Sequence, residues 1–552
     1  MRIIYLQLPR LDNAARGRTE NVPLAGVYLQ HALKRAGLLA QPQFVTEDWS
    51  DDALLAALAA GHPDVIAATL YLWNVERTLH VLRRTRAILP SVRIFGGGPE
   101  VARDHPFLFR AGVFDALVEG EGEAIFPELL RDRANYANVA HRTGRGYAWG
   151  AQVALAVTLR EMLPPADDDG LRPDAQGMAY METGRGCPLR CAYCRYPSLR
   201  TRMSFLSAAE ALTRVRMLRQ RGAREIRFID PTLNAHPQFN ALLRGLVRLN
   251  RGGGLEFFGE LQAERLTKEQ IALLPQAGFT GIEVGVQSRD PVVLRAVHRP
   301  EHLALLERNI SALTRAGVQV TIDLMYGLPG QRAAEVYTSL RWAWSQRHAY
   351  VQCLQTLLLP GTELRARQRE LGLRADARPP YGVRSTPTMS AADIRGIEAT
   401  VYRKEAPDCP TRCFVGRSLP DLFRERDVVD LRRAGSDRPR SRKARSALIF
   451  RGDDLWAARE RIVRIVRQAL RAEPHALWQF VLEPRAEEPL DLLDVLIAEI
   501  RWHPARWQDR LATVAAAGKL ASRRVFVRLR HDGRYARGWI AATEDLLSGV
   551  FY

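Results

Sequence analysis

The chain has 552 residues, 47% of them apolar and 26% charged, with a formal net charge of +19 at pH 7. Such a length exceeds one ordinary core and predicts two to four domains. No apolar run approaches the roughly 20 residues that a membrane helix needs, and the short apolar opening, followed by the charged LDNAARGRTE, lacks a secretory design, so the expected compartment is the cytoplasm.

The positive charge is mostly arginine spread along the whole chain. Its one dense run, RPRSRKARS at 438–446, joins better-patterned segments. There is no zinc finger, KH loop or RNP signature, and the aromatics do not interleave with the basic residues. The charge is therefore read as solvating, or as attracting anionic ligands, and not as a nucleic-acid surface.

In chain order, residues 1–132 alternate buried β runs with amphipathic helices: RIIYLQL, LAGVYLQHALKRAG, VIAATLYL, NVERTLHVLRRTRAIL, VRIFGG, DALVEGEGE and AIFPELLR. That alternation predicts a parallel, doubly wound (Rossmann-like) α/β domain. Residues 133–172, with PPADDDGLRPDAQG, read as a polar linker. From 173 to 375 the alternation resumes with polar residues closing each strand: MAYMETG, AREIRFIDPTLN, LEFFGELQAE, TGIEVGVQS, VQVTIDLMYGLPG and YVQCLQTLLLPGT. This predicts a partial βα barrel of TIM type with its chemistry at the carboxyl rim. Residues 376–445, rich in Pro, Arg and Ser, read as a linking extension, and 446–552 as a C-terminal α+β accessory domain of unknown role.

Half of the six cysteines lie in GRGCPLRCAYCRYP, residues 184–197. Clustered thiols in a long chain point to a metal or a catalytic thiol, since six cysteines do not make a disulfide scaffold here. Structural zinc takes four closed ligands, so a zinc reading needs Cys409 or Cys413 as well. An iron–sulfur cluster also normally takes four thiolates, and one held by three leaves an iron open. Gly184, Gly186 and Pro188 let the loop wrap closely, whereas Cys353 sits in an apolar strand and reads as core.

GCPLRCAYC resembles the signature of the radical S-adenosylmethionine (SAM) superfamily. The resemblance implies that Cys187, Cys191 and Cys194 hold a [4Fe–4S] cluster whose open iron binds SAM, with Tyr193 near the adenine. FIDPTLN resembles the DRTFN-type segment of cobalamin-associated members, which makes Asp230, Thr232 and Asn234 candidate SAM contacts, although Pro231 and Leu233 depart from that pattern. IEVGVQS resembles the ELGVQS segment and offers Glu283, Gln287 and Ser288. DLMYGLPG resembles a segment whose glycine turn admits close approach of SAM. A carboxylate or histidine at the rim could take a substrate proton; the sequence singles out none, and Glu260 and Tyr326 are the candidates.

In the first domain YLWN, GGGPE and VEGEGE resemble the cobalamin-binding half of class B radical SAM enzymes. By that resemblance Tyr71, Trp73 and Asn74, then Gly97, Gly98, Pro99 and Glu100, then Gly120, Glu121 and Gly122 approach cobalamin at the carboxyl edge of the sheet. The D-x-H-x-x-G motif that supplies an axial histidine elsewhere is absent. The resemblance implies a methyltransferase acting on an unactivated carbon of a small-molecule or peptide natural-product precursor, through a 5′-deoxyadenosyl radical and methylcobalamin. It also implies an electron donor such as flavodoxin or ferredoxin. A cyclisation or rearrangement without net methyl transfer uses the same cofactors. Outside the enzyme reading, the alternative is an iron–sulfur sensor or nucleic-acid-binding protein.

Overall fold

The computed structural model describes residues 1–11, 22–131, 137–153, 158–196, 202–405, 414–419, 425–433, 442–507 and 523–551. Cys409 and Cys413 lie outside these residues.

The first sheet has seven strands. Gln41–Val45, Arg2–Leu6, Val65–Thr69, Arg93–Gly97 and Ala116–Val118 run parallel in that spatial order. Val65–Thr69 is buried along nearly its whole length because helices cover both faces, so its apolar run does not alternate. Where the sequence predicts a linker at 133–172, Val139–Thr143 and Gly146–Trp149 form a hairpin that extends this sheet antiparallel from Ala116–Val118. Farther along the same segment, Leu159 and Leu163 pack with Val27, Tyr28 and Leu206, so this stretch joins the two domains by apolar burial.

The second sheet is the partial barrel. Met178–Met181, Glu225–Phe228, Glu256–Glu260, Phe279–Gln287, Gln319–Tyr326 and Ala349–Gln355 lie side by side in sequence order, all parallel. Helices Ala208–Gln220, Phe239–Leu249, Lys268–Ala277, Leu303–Arg315 and Ala333–Ser345 return the chain. Parallel strands place every carboxyl end on one rim, where the polar closing residues gather. Cys353 is buried in the barrel core. The expected extension at 376–445 is not a bare linker. Helix Ala391–Glu405 buries Ile394, Ile397 and Val401 in the barrel core, and Arg426–Asp430 forms an edge strand of the third sheet.

That third sheet corrects the expected α+β character of the C-terminal unit. Its strands, in the order Val415–Gly416, Arg524–Arg528, Leu477–Glu483, Arg445–Arg451 and Arg426–Asp430, are wholly parallel. Leu477–Glu483 is buried at all seven positions, the pattern of a strand covered on both faces. Gln479, buried within it, breaks the apolar run in the sequence and hides that pattern.

The third unit docks on the first domain through charge. Asp48 pairs with Lys443 at 2.9 Å and Arg445 at 2.5 Å. The Glu473 carboxylate accepts the Asp51 and Asp52 backbone N–H groups at 2.7 and 3.1 Å, satisfying orphan donors at the start of helix Asp51–Ala60. Burial, and then the Asp51 charge, push the Glu473 carboxyl up to about 7. Its proton is held more tightly in the folded chain, so its contribution is full below the ordinary value of 4.5 and is lost as pH rises through about 7. Thermal melts between about pH 5 and 8 are expected to show stability falling over this window. Glu473→Gln, which cannot ionise, should flatten that fall by on the order of 2 kcal/mol. Equal slopes in the two proteins would refute the assignment.

Candidate cofactor and substrate site

The cysteine loop begins where Met178–Met181 ends. Gly184–Arg185 pairs antiparallel with Ser204–Phe205, which closes the base of the loop. Gly184 is required there, since a Cβ would meet the Phe205 ring at 2.7 Å. Asp230, expected to contact SAM, instead fixes the loop's entry. It accepts the Thr183 N–H at 3.0 Å and the Thr183 hydroxyl at 2.6 Å, and burial pushes its carboxyl up to about 7.

Cys187, Cys191 and Cys194 line a cavity of about 200 Å³ together with Tyr193, Thr232, Glu260, Glu283 and Gln287. Five residues expected at the SAM site or rim thus meet the three thiols. Among the described residues, no three His, Cys, Asp or Glu converge as they would on a single metal ion. The thiols surround a space, which suits a multi-iron cluster whose sulfurs bind different irons. Thr232 Oγ1 lies 3.6 Å from Cys187 Sγ. Arg299, which the motif reading missed, places Nη1 3.6 Å from Cys191 Sγ, gives Nη2 to the Gly285 carbonyl at 2.5 Å and Nε to Glu301 at 2.6 Å. Its guanidinium is thereby held as a fixed charged donor against the cysteine loop.

Glu260 and Glu283 are register partners on adjacent strands. Burial, then the Glu283 charge, push the Glu260 carboxyl up to about 7. Asp323 on the next strand also lines the cavity, and burial together with the Glu283 carboxylate raises it. Gln287 adopts φ +63 at a register shift in its strand, a left-handed strain for a residue with a side chain at the cavity wall.

Besides Asp230, four expectations do not hold at this cavity. Asn234 exchanges hydrogen bonds with the Gln262 backbone at 2.9 and 3.0 Å and does not line it. Ser288 is fully buried and accepts the Asp290 N–H at 3.1 Å. Tyr326 is core, its hydroxyl donating to Glu398 at 3.3 Å. The GLPG turn is also away from the wall, with Gly327 facing Val383 and Ile394.

A second cavity, about 570 Å³, opens between the first domain and the barrel. Of the residues expected there, Tyr71, Trp73, Gly97, Gly98, Pro99, Gly120, Glu121 and Gly122 line it, and Tyr180, Glu182, Arg185, Gly186, Tyr196 and Ile229 wall it from the barrel side. Tyr71 and Trp73 stack at 4.4 Å with planes 5° apart, and Trp73 Nε1 is buried without a hydrogen-bond partner. A Cβ on Gly97 would meet nothing nearer than the Val118 carbonyl at 4.0 Å, so that glycine fronts open space. A flat aromatic platform, an orphan donor and a glycine cradle fit a large planar ligand such as a corrin. Arg185 braces the wall, with Nε and Nη2 on the Glu182 carboxylate at 2.7 and 2.8 Å and Nη1 on Glu123 at 3.0 Å.

Two expected corrin contacts face elsewhere. The Asn74 side chain accepts the Tyr71 N–H at 2.8 Å and donates to the Leu8 and Thr69 carbonyls, shaping the turn from inside. Glu100 is buried against His105 at 3.0 Å and Tyr381 at 2.8 Å, a clamp between the first domain and the segment after the barrel.

Tyr196 lines both cavities, and 42% of its surface is reachable although it lies between domains.

A doubly wound domain faces a partial barrel across a cavity floored by stacked aromatics and glycines, beside a second cavity ringed by three thiols. Residues 13–130 match the B12-binding domain and residues 181–343 the radical SAM superfamily. The 2-(S-pantetheinyl)-carbapenam-3-carboxylate methyltransferase of Streptantibioticus cattleyicolor is 26% identical over 301 residues, 49% of this chain and 44% of that protein. The chain spans about half the length of the first curated relatives it matches. The structure of the radical SAM methyltransferase TsrM from Kitasatospora setae, with tryptophan and a SAM analogue bound, aligns with TM-score 0.55 at 18% identity, over 68% of this chain and 79% of that one. OxsB, a cobalamin-dependent SAM radical enzyme, aligns with TM-score 0.59 at 14% identity, over 74% and 68%. The chain thus carries a B12-binding domain followed by a radical SAM domain, the pairing of cobalamin-binding (class B) radical SAM enzymes, and these domains imply a [4Fe–4S] cluster, SAM and cobalamin as cofactors. Among the described residues no helix is long and apolar enough to cross a membrane.

Proposed function

We propose that the chain is a cobalamin-dependent radical SAM methyltransferase that acts on an unactivated carbon of a small-molecule or peptide natural-product precursor. The observation that carries this reading is the shared wall: Tyr196 lines both cavities, so a substrate seated on it touches both cofactor sites. Methyl transfer between a radical source and a methyl source needs both within reach of one carbon, and positioning is the protein's main contribution. The names of two relatives, a carbapenam methyltransferase and a methyltransferase holding tryptophan, support a small ring-bearing substrate.

Cys187, Cys191 and Cys194 would hold three irons of the cluster, leaving the fourth for the amino and carboxylate groups of SAM. When bound, cluster and SAM supply a 5′-deoxyadenosyl radical, and cobalamin supplies the methyl group. The chain's own residues then bind and orient. Glu283, beside Glu260, offers a carboxylate to a cationic ligand group, and Glu260, held near neutrality, can carry a proton at its carboxyl oxygen. Tyr71 and Trp73 present a flat apolar face to the corrin, while the Arg185–Glu182–Glu123 network keeps the opposing wall in place. Reducing equivalents would come from a donor such as flavodoxin or ferredoxin.

Anaerobically reconstituted protein given SAM and dithionite is expected to form 5′-deoxyadenosine, and with methyl-labelled SAM and a source extract to yield a labelled product. Protein with a full iron complement that forms no 5′-deoxyadenosine would count against the reading. Labelled SAM consumed with no labelled product would favour cyclisation or rearrangement. Tyr196→Ala should keep 5′-deoxyadenosine formation within about threefold but lower the ratio of labelled product to it by at least roughly tenfold. An unchanged ratio would remove Tyr196 from the substrate site.

A further inference from the structure

Arg195 follows Cys194 directly and lines neither cavity. It is 7% exposed, and its guanidinium reaches into the first domain. Nη2 donates to the Val101 carbonyl at 2.9 Å and pairs with Glu119 at 3.0 Å, and Nε points at the Pro99 carbonyl at 3.4 Å. Pro99 and Val101 continue the loop that begins with Gly97 and Gly98, and Glu119 immediately precedes Gly120. Both stretches wall the larger cavity. The remaining donor, Nη1, meets the Gly361 carbonyl at 3.2 Å.

Gly361 makes this arrangement possible. It has φ +75, and a Cβ built there would stand 2.0 Å from Arg195 Nη1. Its N–H is in turn held by Asp104 of the first domain at 2.7 Å. One side chain, adjacent to a cluster cysteine, therefore satisfies acceptors on both glycine loops of the corrin cavity and on the loop after the last barrel strand. A planar five-donor fork can do this, whereas an ammonium, with a single nitrogen, cannot reach acceptors spread over three segments.

The same interface contains a clamp that serves as a comparison. Glu100, His105 and Tyr381 also join the first domain to the segment after the barrel through buried hydrogen bonds, but none of them belongs to the cysteine loop. If holding the domains together were the whole need, that clamp would meet it. Arg195 adds a mechanical link between the ligands of one cofactor and the cradle of the other.

We infer that Arg195 is a positioning residue that couples the two cofactor sites: a cluster-ordered cysteine loop holds the corrin loops in their binding conformation, and a bound corrin holds the cysteine loop in return. The inference rests on the cofactor assignment and not on the identity of the reaction, so its test reads binding. Coupling of this kind is reciprocal and typically amounts to about fivefold or more.

The test titrates the full chain with hydroxocobalamin by visible absorbance, once with the cluster reconstituted and once after iron is removed by chelation. The unaltered protein is expected to bind at least about fivefold more tightly with the cluster present. In Arg195→Lys the two affinities should agree within about twofold, with iron content unchanged. Gly361→Ala, which displaces the guanidinium without altering Arg195, should give the same loss and decides the matter if the lysine variant folds poorly. Tyr381→Phe should keep the coupling, although it weakens a buried contact between the same domains. Coupling that survives in both Arg195→Lys and Gly361→Ala, or that is absent from the unaltered protein, overturns the inference alone. An unaltered protein that binds no cobalamin overturns it together with the cofactor assignment.

Discussion

Replacing Cys187, Cys191 and Cys194 together by alanine is expected to take the iron content after anaerobic reconstitution from about four per chain to near zero, and to abolish SAM cleavage. The three thiols face one cavity from one loop, and Arg299 stands 3.6 Å from one of them as a fixed counter-charge. Methyl side chains offer iron nothing, so the loss should be complete. Cys353→Ala is the matching control. That thiol is buried in the barrel core, where its removal should cost about 1 kcal/mol of packing and leave iron unchanged. Iron and sulfide analysis checks both variants. A triple variant that retains its full iron would sink the cluster assignment and return attention to Cys409 and Cys413.

The parts of this site legible in the sequence share a property: their meaning is local. Cysteine spacing places three thiols in one loop whatever surrounds it. Thr232, Glu260, Glu283 and Gln287 reach the cavity of the thiols because a βα barrel brings its strands' carboxyl ends, and the residues that follow them, to one rim. The same logic is weaker in the loops that follow the strands. Past Gly97 the chain turns, and Glu100 points into an interdomain clamp instead of toward the corrin cavity. Ser288 is spent on its own turn and Asn234 on the backbone of the neighbouring loop at Gln262, since a motif fixes a position in the chain but not the face a loop residue presents.

Arg195 was illegible for a different cause. Besides Glu119, its partners include the backbone carbonyls of Pro99, Val101 and Gly361, 94 to 166 positions away, and carbonyls carry no residue signature. Gly361 is equally silent, because the need for a missing Cβ appears only once the guanidinium is in place. The hairpin at 139–149 escaped because its strands are short and partly polar and read as linker. They form because Ala116–Val118 has an open edge with which Val139 and Ala140 can pair.

Gly97→Val is expected to weaken hydroxocobalamin binding by about 100-fold, the equivalent of roughly 3 kcal/mol of overpacking, while iron content stays unchanged. Gly97 is the right position because its neighbourhood is empty. An added Cβ meets only the Val118 carbonyl at 4.0 Å, so the fold tolerates the branched side chain and the cavity receives it. Gly98 would make a poor probe although it lines the same cavity. Its φ of +105 suits glycine, and a Cβ there would strike the Leu70 carbonyl at 2.7 Å, so a substitution tests the turn and not the ligand. The Gly97 N–H and carbonyl are unchanged by the substitution, which keeps its bond to the Leu70 N–H at 2.7 Å and with it the strand end. The three cysteines lie in the other domain, so the cluster should form normally and 5′-deoxyadenosine should still appear while labelled methyl product is lost. Absorbance titration with hydroxocobalamin, paired with iron analysis on the same sample, reads both halves. Unchanged affinity in Gly97→Val would move the corrin away from this glycine, and iron lost along with it would mean that the substitution had disturbed the fold and not the cradle alone.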